Sequence, residues 1–243
     1  MDWFYQQEVI VSELAQATSE AVNLLFSGDA VIWSIIGVSF SVSLRAIAIA
    51  TPLALLVAFI LAYASFPGRR ILVTATNTLM AVPAVVVGLT VYLLLSRGGP
   101  AGDLRLLFTQ SAMIIGQILL CLPLLVAMAH AAFQSGDQRA WESALTLGAT
   151  RWRAMRTVMY EIRFGLLAAM IAAFGRIIAE VGCSMMVGGN ILYHTRNIPT
   201  AIALETSKGA FAQGIALGMV LLSFALLLNV ALGYAQGSGE ISQ

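Results

Sequence analysis

Arg176 and Glu180 stand four residues apart in AAFGRIIAEVG, a run whose other residues are nearly all apolar. On a helix that spacing puts both side chains on one face, within reach of an ion pair. A charge at mid-bilayer costs roughly 2.5–3.5 kcal/mol on insertion scales, so such residues face protein or water rather than lipid. Two readings stay open: a self-neutralised structural pair, or a pair lining a translocation path or its gate, broken and remade between two conformations. Other reactive chemistry is sparse. His130 and His194 are too few for a metal cluster, and His130, closing an apolar run, reads as an interfacial residue. Cys121 and Cys183 lie far apart in apolar surroundings and read as core residues, not as a disulfide or metal site. The single lysine, Lys208 in TSKGAF, follows no glycine-rich loop, so the chain has no P-loop of its own. No serine, histidine and acid group in a catalytic arrangement is visible, and the chain does not read as an enzyme.

The elements that must position these residues are membrane helices. The chain has 243 residues, is 59% hydrophobic and only 10% charged, and its mean hydropathy is +0.88. Soluble proteins carry about 25% charged residues, so lipid is the expected solvent. A net charge of +1 points to neither nucleic acid nor an acidic partner. A bilayer-crossing helix needs roughly 20 mostly apolar residues. Five runs meet this: one within residues 31–66, then about 71–95, 111–133, 164–187 and 211–234. The expected fold is therefore all-α, a polytopic bundle. Pro52, Pro83, Pro123 and the pair Gly214 and Gly218 fall inside these runs, as suits helices that pack closely on one another or on a second copy.

Ahead of the first run, residues 8–25 place apolar side chains at helical spacing among Glu8, Glu13 and Glu20, the pattern of an amphipathic helix lying on the membrane surface. The start MDWFYQQEV lacks a basic region and does not fit a cleaved signal peptide. The expected organisation is an interfacial segment over 1–29, a transmembrane domain over 30–237 and a short tail over 238–243, with no further regulatory domain. Loop charge sets orientation. Arg69, Arg70, Arg139, Arg151, Arg153, Arg156 and Arg163 fall on one side and predict the cytoplasmic face, with the N-terminus outside.

Between the third and fourth runs lies a polar loop over 135–163 that is long for a simple turn. It reads as two short helices. Asp137 can cap the first, where Trp141, Ala144 and Leu145 make an apolar stripe; Gly148 can end it. In the second, Trp152, Met155, Met159 and Ile162 make one face, ringed by Arg151, Arg153, Arg156 and Arg163. Lipid headgroups would account for the second helix. A first helix of Glu142, Ser143, Ala144 and Gly148 is shaped instead to enter a groove on another protein.

ESALTLG followed by ATRWR resembles the Glu-Ala-Ala, three residues, Gly motif of type I ABC importer permeases. Glu142, Ala144 and Gly148 match, and Ser143 replaces the middle alanine. The family's downstream Ile-x-Leu-Pro falls on Val158, Met159, Tyr160 and Glu161, without the proline. The stretches EVGCSMMVGGNILYHTRNIPTAIALETSKGAFA and AVPAVVVGLTVYLLLSRGGP resemble the tungstate and molybdate permeases of that family, the tungstate branch most of all.

This resemblance implies a cytoplasmic-membrane homodimer of five-span subunits around one path. Two copies of an ABC ATP-binding subunit, which hold ATP and Mg, would sit below, and an extracytoplasmic oxyanion-binding protein above. This chain itself would need no cofactor or metal. It also implies coupling to the ATPase through Trp141, Glu142, Ser143, Ala144, Leu145 and Gly148. Pro83, Met185 and Met186 join Arg176 and Glu180 as candidates for the path or gate. Asn190, Thr206, Ser207 and Lys208 are candidate contacts for the binding protein or the anion at the outer face. The competing expectation is a secondary transporter or channel working without ATP, which should show related halves with broken helices or an ion relay.

Overall fold

The computed structural model describes residues 18, 19, 22, 23 and 26–237. The amphipathic segment expected over 8–25 and the tail 238–243 therefore fall, but for those isolated positions, outside the described residues. Among the described residues there are ten α-helices, a short 3-10 turn at Gly102–Leu104 and no strand.

Asp29 starts the first helix: its carboxylate accepts from the N–H groups of Val31 (2.7 Å) and Ile32 (3.0 Å), capping α1, Ala30–Tyr63. Along α1 a row of small residues, Val42, Ala46, Ala50, Ala54 and Ala58, recurs every fourth position and is fully buried. Small side chains at that spacing let another helix backbone come close. The partner is α4, Gln110–Ser135, which presents Cys121, Leu125, Ala129 and Phe133, again every fourth residue; the two share the most extensive interface in the chain. Helix α7, Arg163–Ile178, lays Ala173, Phe174 and Ile177 on the same core. Gln117, buried in α4, donates from Nε2 to the carbonyl of Ile177 (3.3 Å), which also accepts from the N–H of Glu180 (3.2 Å) where α7 ends. Helix α10, Phe211–Gly237, closes the bundle through Leu217, Leu221 and Phe224 and leaves Leu222, Leu226 and Leu227 outward, as a helix in lipid can.

Helices α1, α4 and α10 are long and apolar enough to cross a membrane, and counting each bent pair as one crossing gives five. The bends revise the expected spans. The run 71–95 is two helices, α2 (Arg69–Met80) and α3 (Ala84–Leu95), meeting at 98°. Pro83 has no N–H to continue the ladder, and its carbonyl instead opens α3 by accepting from Val86 (2.9 Å). The run 164–187 is likewise α7 plus a short helix α8, Gly182–Gly188, and no proline marks that break. The loop over 135–163 forms α5 (Gln138–Thr146) and α6 (Arg151–Glu161), and α6 meets α7 at 74°. Between α8 and α10 lies α9, Ile198–Ser207, whose first N–H donates to the buried Ser39 hydroxyl of α1 (2.6 Å).

Candidate functional site: a docking loop and two broken helices

Helix α5 is built to present one face and anchor the other. Asp137 accepts from the N–H of Arg139 (2.9 Å) and caps it. Trp141 turns inward, its ring centroid 5.2 Å from those of both Phe59 and Tyr63. Phe133 completes the cluster, 5.6 Å from Phe59 and edge-on to it, so the aromatic ends of α1 and α4 grip the loop. Outward stand Glu142, Ser143 and Leu145, and beyond them Leu147, which is 88% exposed. Ala144 lies between the two faces. The helix ends where the N–H groups of Leu147, Gly148 and Ala149 donate to the carbonyls of Ser143, Leu145 and Ala144, each at 3.0 Å. Gly148 takes φ +83°, a left-handed value that suits glycine, and a Cβ there would meet nothing within 4 Å. The result is a solvent-facing knob with one acid, small residues and two leucines, on an aromatic base.

Helix α6 buries Ala154, Met155 and Val158, with Met159 and Ile162 partly covered. Trp152, expected on the same face, is 63% exposed. At 3.6 residues per turn it lies about a third of a turn away from that buried row. Tyr160 is also outward, with the Arg163 guanidinium 4.4 Å from its ring centre.

Arg176 and Glu180 do pair, Nη1 to Oε2 at 2.6 Å, but the two members differ. Arg176 is exposed, whereas Glu180 is buried. The other oxygen of Glu180 accepts from the N–H groups of Gly182 (2.8 Å) and Cys183 (3.4 Å), the orphan donors at the start of α8. The carboxylate thus makes the break between α7 and α8 and caps the new helix. Glu180→Ala is expected to lower stability by about 1–3 kcal/mol, since it leaves the buried N–H of Cys183 and the half-buried N–H of Gly182 without this acceptor. Arg176→Ala should cost under about 1 kcal/mol, as fits a solvent-screened pair. Thermal unfolding of the purified chain in detergent checks the inequality, and equal losses would refute it.

The two breaks lie side by side. A Cβ on Gly182 would stand 2.6 Å from Val85 Cγ2 and 3.5 Å from the Val85 backbone nitrogen, next to Pro83. Met186 packs over Gly88 of α3, while Met185 is exposed and Pro83 lies open at the elbow. Arg176, Glu180, Pro83, Met185 and Met186 therefore belong to one region. Asn190 sits elsewhere, in the turn before α9, with φ +52° and its amide near the Thr200 carbonyl (3.5 Å). Thr206, Ser207 and Lys208 close the other end of that helix, all exposed, and Lys208 pairs with Glu205 at 2.9 Å. The glycines facing α8, Gly88 and Gly116, and the capping role of Glu180 went unread in the sequence. Glycine in the middle of apolar runs was the available signal.

Residues 50–236 match the family described as binding-protein-dependent transport system inner membrane component, well over half of the chain. The tungstate uptake system permease protein TupB of Campylobacter jejuni is 37% identical over 223 residues, covering 92% of this chain and 93% of the relative. The chain belongs to this family. Its members are ABC importer permeases, inner-membrane proteins, and the resemblance first seen in ESALTLG and MMVGGN extends over most of this permease's length. A probable anion ABC transporter permease protein of Haloferax volcanii is 42% identical over 205 residues, 82% of this chain and 88% of the relative. A crystal structure of a bacterial alginate ABC transporter with its alginate pentasaccharide-bound periplasmic protein superposes with a TM-score of 0.72 at 18% identity. It covers 96% of this chain and 93% of that one, and it establishes the shared fold.

Proposed function

We propose that this permease carries a tetrahedral oxyanion, tungstate or molybdate, into the cell, driven by ATP hydrolysis on a separate subunit. The anchored knob of α5 carries the coupling half of the reading. Trp141 ties it to the ends of α1 and α4, while Glu142, Ser143, Leu145, Leu147 and Gly148 stay open to a partner. A rigid helix docked in an ATPase cleft can move those ends as the cleft closes. The cargo half is supported by the relatives named for tungstate and for an anion. ATP and Mg belong to the ATPase, present in two copies beneath a homodimer of this chain, and an extracytoplasmic binding protein delivers the anion. On this reading the chain has no ATPase site and contributes the path.

The test is affinity purification of the tagged chain from its own membranes in mild detergent. An ABC ATP-binding protein should accompany the wild type and be lost with Glu142→Arg. A Glu142→Arg chain that keeps its ATPase would refute docking through α5. Uptake of labelled tungstate by vesicles holding the whole importer tests the cargo, and uptake of neither tungstate nor molybdate would refute that half.

A further inference from the structure

Helix α6 ends at Glu161 and α7 begins at Arg163, and the polarity of the chain changes at that joint. Helix α6 carries Arg151, Arg153, Arg156 and Glu161 in 11 residues, whereas α7 holds no charge between Arg163 and Arg176. Charges avoid the hydrocarbon and an apolar helix seeks it, so the joint marks the membrane surface. The 74° bend there turns α6 out of the line of α7 and lays it along that surface. Ala154, Met155 and Val158 are buried and fix one side of α6 to the rest of the chain. The other side presents Trp152, Arg156 and Tyr160 at successive turns, with Arg153 and Thr157 beside them, all exposed. An open groove of about 800 Å³ runs along it, lined by Arg153, Arg156, Thr157, Met159 and Tyr160. The guanidinium groups of Arg151, Arg153 and Arg156 enter no hydrogen bond or ion pair among the described residues. The one acid of α6, Glu161, is set off from the exposed row by about a third of a turn.

We infer that this face of α6 binds the headgroups of anionic phospholipids, with Arg153 and Arg156 on the phosphates and Trp152 and Tyr160 seated at the interface. Rings with one apolar and one polar side favour that depth. Uncompensated positive charge selects acidic over zwitterionic headgroups. Lipid, and not a protein subunit, is the occupant because the row continues into the membrane helix. The Arg163 guanidinium stands 4.4 Å from the Tyr160 ring centre and 4.5 Å from that of Phe164, the first apolar residue of α7. The inference does not depend on which anion is carried. It does bear on coupling, since α5 packs on α6. Headgroups that hold α6 set the height at which the knob of α5 stands below the bilayer.

The test reconstitutes the purified permease, alone and with its ATPase, in phosphatidylcholine vesicles holding rising fractions of brominated phosphatidylglycerol or brominated phosphatidylcholine. Bromine quenches tryptophan at short range, and the difference between wild type and Trp152→Phe isolates the signal of Trp152. Half-quenching should need at least about fivefold less of the glycerol lipid, the gain that a single arginine near an anionic surface supplies. The double variant Arg153→Gln, Arg156→Gln alters exposed side chains only, so it should fold, keep the quenching and lose the preference. Equal quenching of wild type by the two lipids would overturn headgroup selection, and a preference that survives in the double variant would overturn the role of the two arginines. Absence of quenching by either lipid would overturn lipid contact altogether. Quenching that disappears when the ATPase is added would assign the face to that subunit and sink the inference, while leaving docking through α5 intact.

Discussion

Glu142→Arg is expected to abolish ATP-driven uptake while the membrane bundle stays folded. Glu142 stands exposed on α5 and enters no ion pair among the described residues, so its replacement breaks nothing inside the chain beyond what any surface change would. Its effect must fall on whatever receives α5. Removing one partner of a charge pair desolvated at an interface costs about 2–5 kcal/mol, and reversing the sign adds repulsion. Docking should weaken by at least about thirtyfold, since 1.4 kcal/mol is a factor of ten. Uptake should fall in step, while the unfolding midpoint of the purified chain should move by no more than about 0.5 kcal/mol, the usual range for a surface change. Gly148→Trp should act alike for a different reason. The space beside Gly148 is open in this chain, and φ +83° strains any side chain placed there. Unaltered uptake in Glu142→Arg vesicles would mean that α5 does not carry the coupling.

What could be read from the sequence divides by length scale. Hydropathy sums over a whole crossing, so the apolar runs that became α1, α4 and α10 were plain. The two-helix form of the loop over 135–163 was legible as well, because Asp137, Trp141 and Gly148 act within one or two turns, by capping, burial and left-handed φ. The same summing hid the breaks. Pro83 did announce one, yet tolerance of proline in membrane helices allowed a mere kink as easily as the 98° elbow. The break at Glu180 had no local sign, since the residue that ends α7 does so by turning its carboxylate onto the N–H groups of Gly182 and Cys183. Read at i, i+4, Glu180 looked like half of an ion pair; its second oxygen decides the backbone path. The burial of His130 was hidden for a related reason. Its place near the end of α4 suggests an interface, but which face of a helix end is covered depends on the partner helix. The outward Trp152 shows the converse, an aromatic left uncovered because the bundle meets α6 a third of a turn away.

The short helix α8 should prove the least tolerant part of the bundle, through two glycines that belong to its neighbours. A Cβ on Gly88 would stand 2.8 Å from the Cα of Cys183, and a Cβ on Gly116 would run into the Cys183 sulfur. Helices α3 and α4 thus close on α8 at the same residue from two sides, one touching its backbone and the other its side chain. Overpacking of this kind costs about 1–3 kcal/mol, and each alanine variant should lower the unfolding midpoint accordingly. The remedy should differ. Cys183→Ala removes the sulfur, so it should restore much of the stability lost in Gly116→Ala, a coupling that a double-mutant cycle measures. The same change leaves the Cα in place and should do nothing for Gly88→Ala. Restoration of both variants, or of neither, would show that the clamp is not what holds α8. If only Gly116→Ala is restored, the approach of α3 is fixed backbone to backbone. The elbow at Pro83, the capped break at Glu180 and the methionines of α8 must then shift as one body, as a gate assembled from two broken helices would.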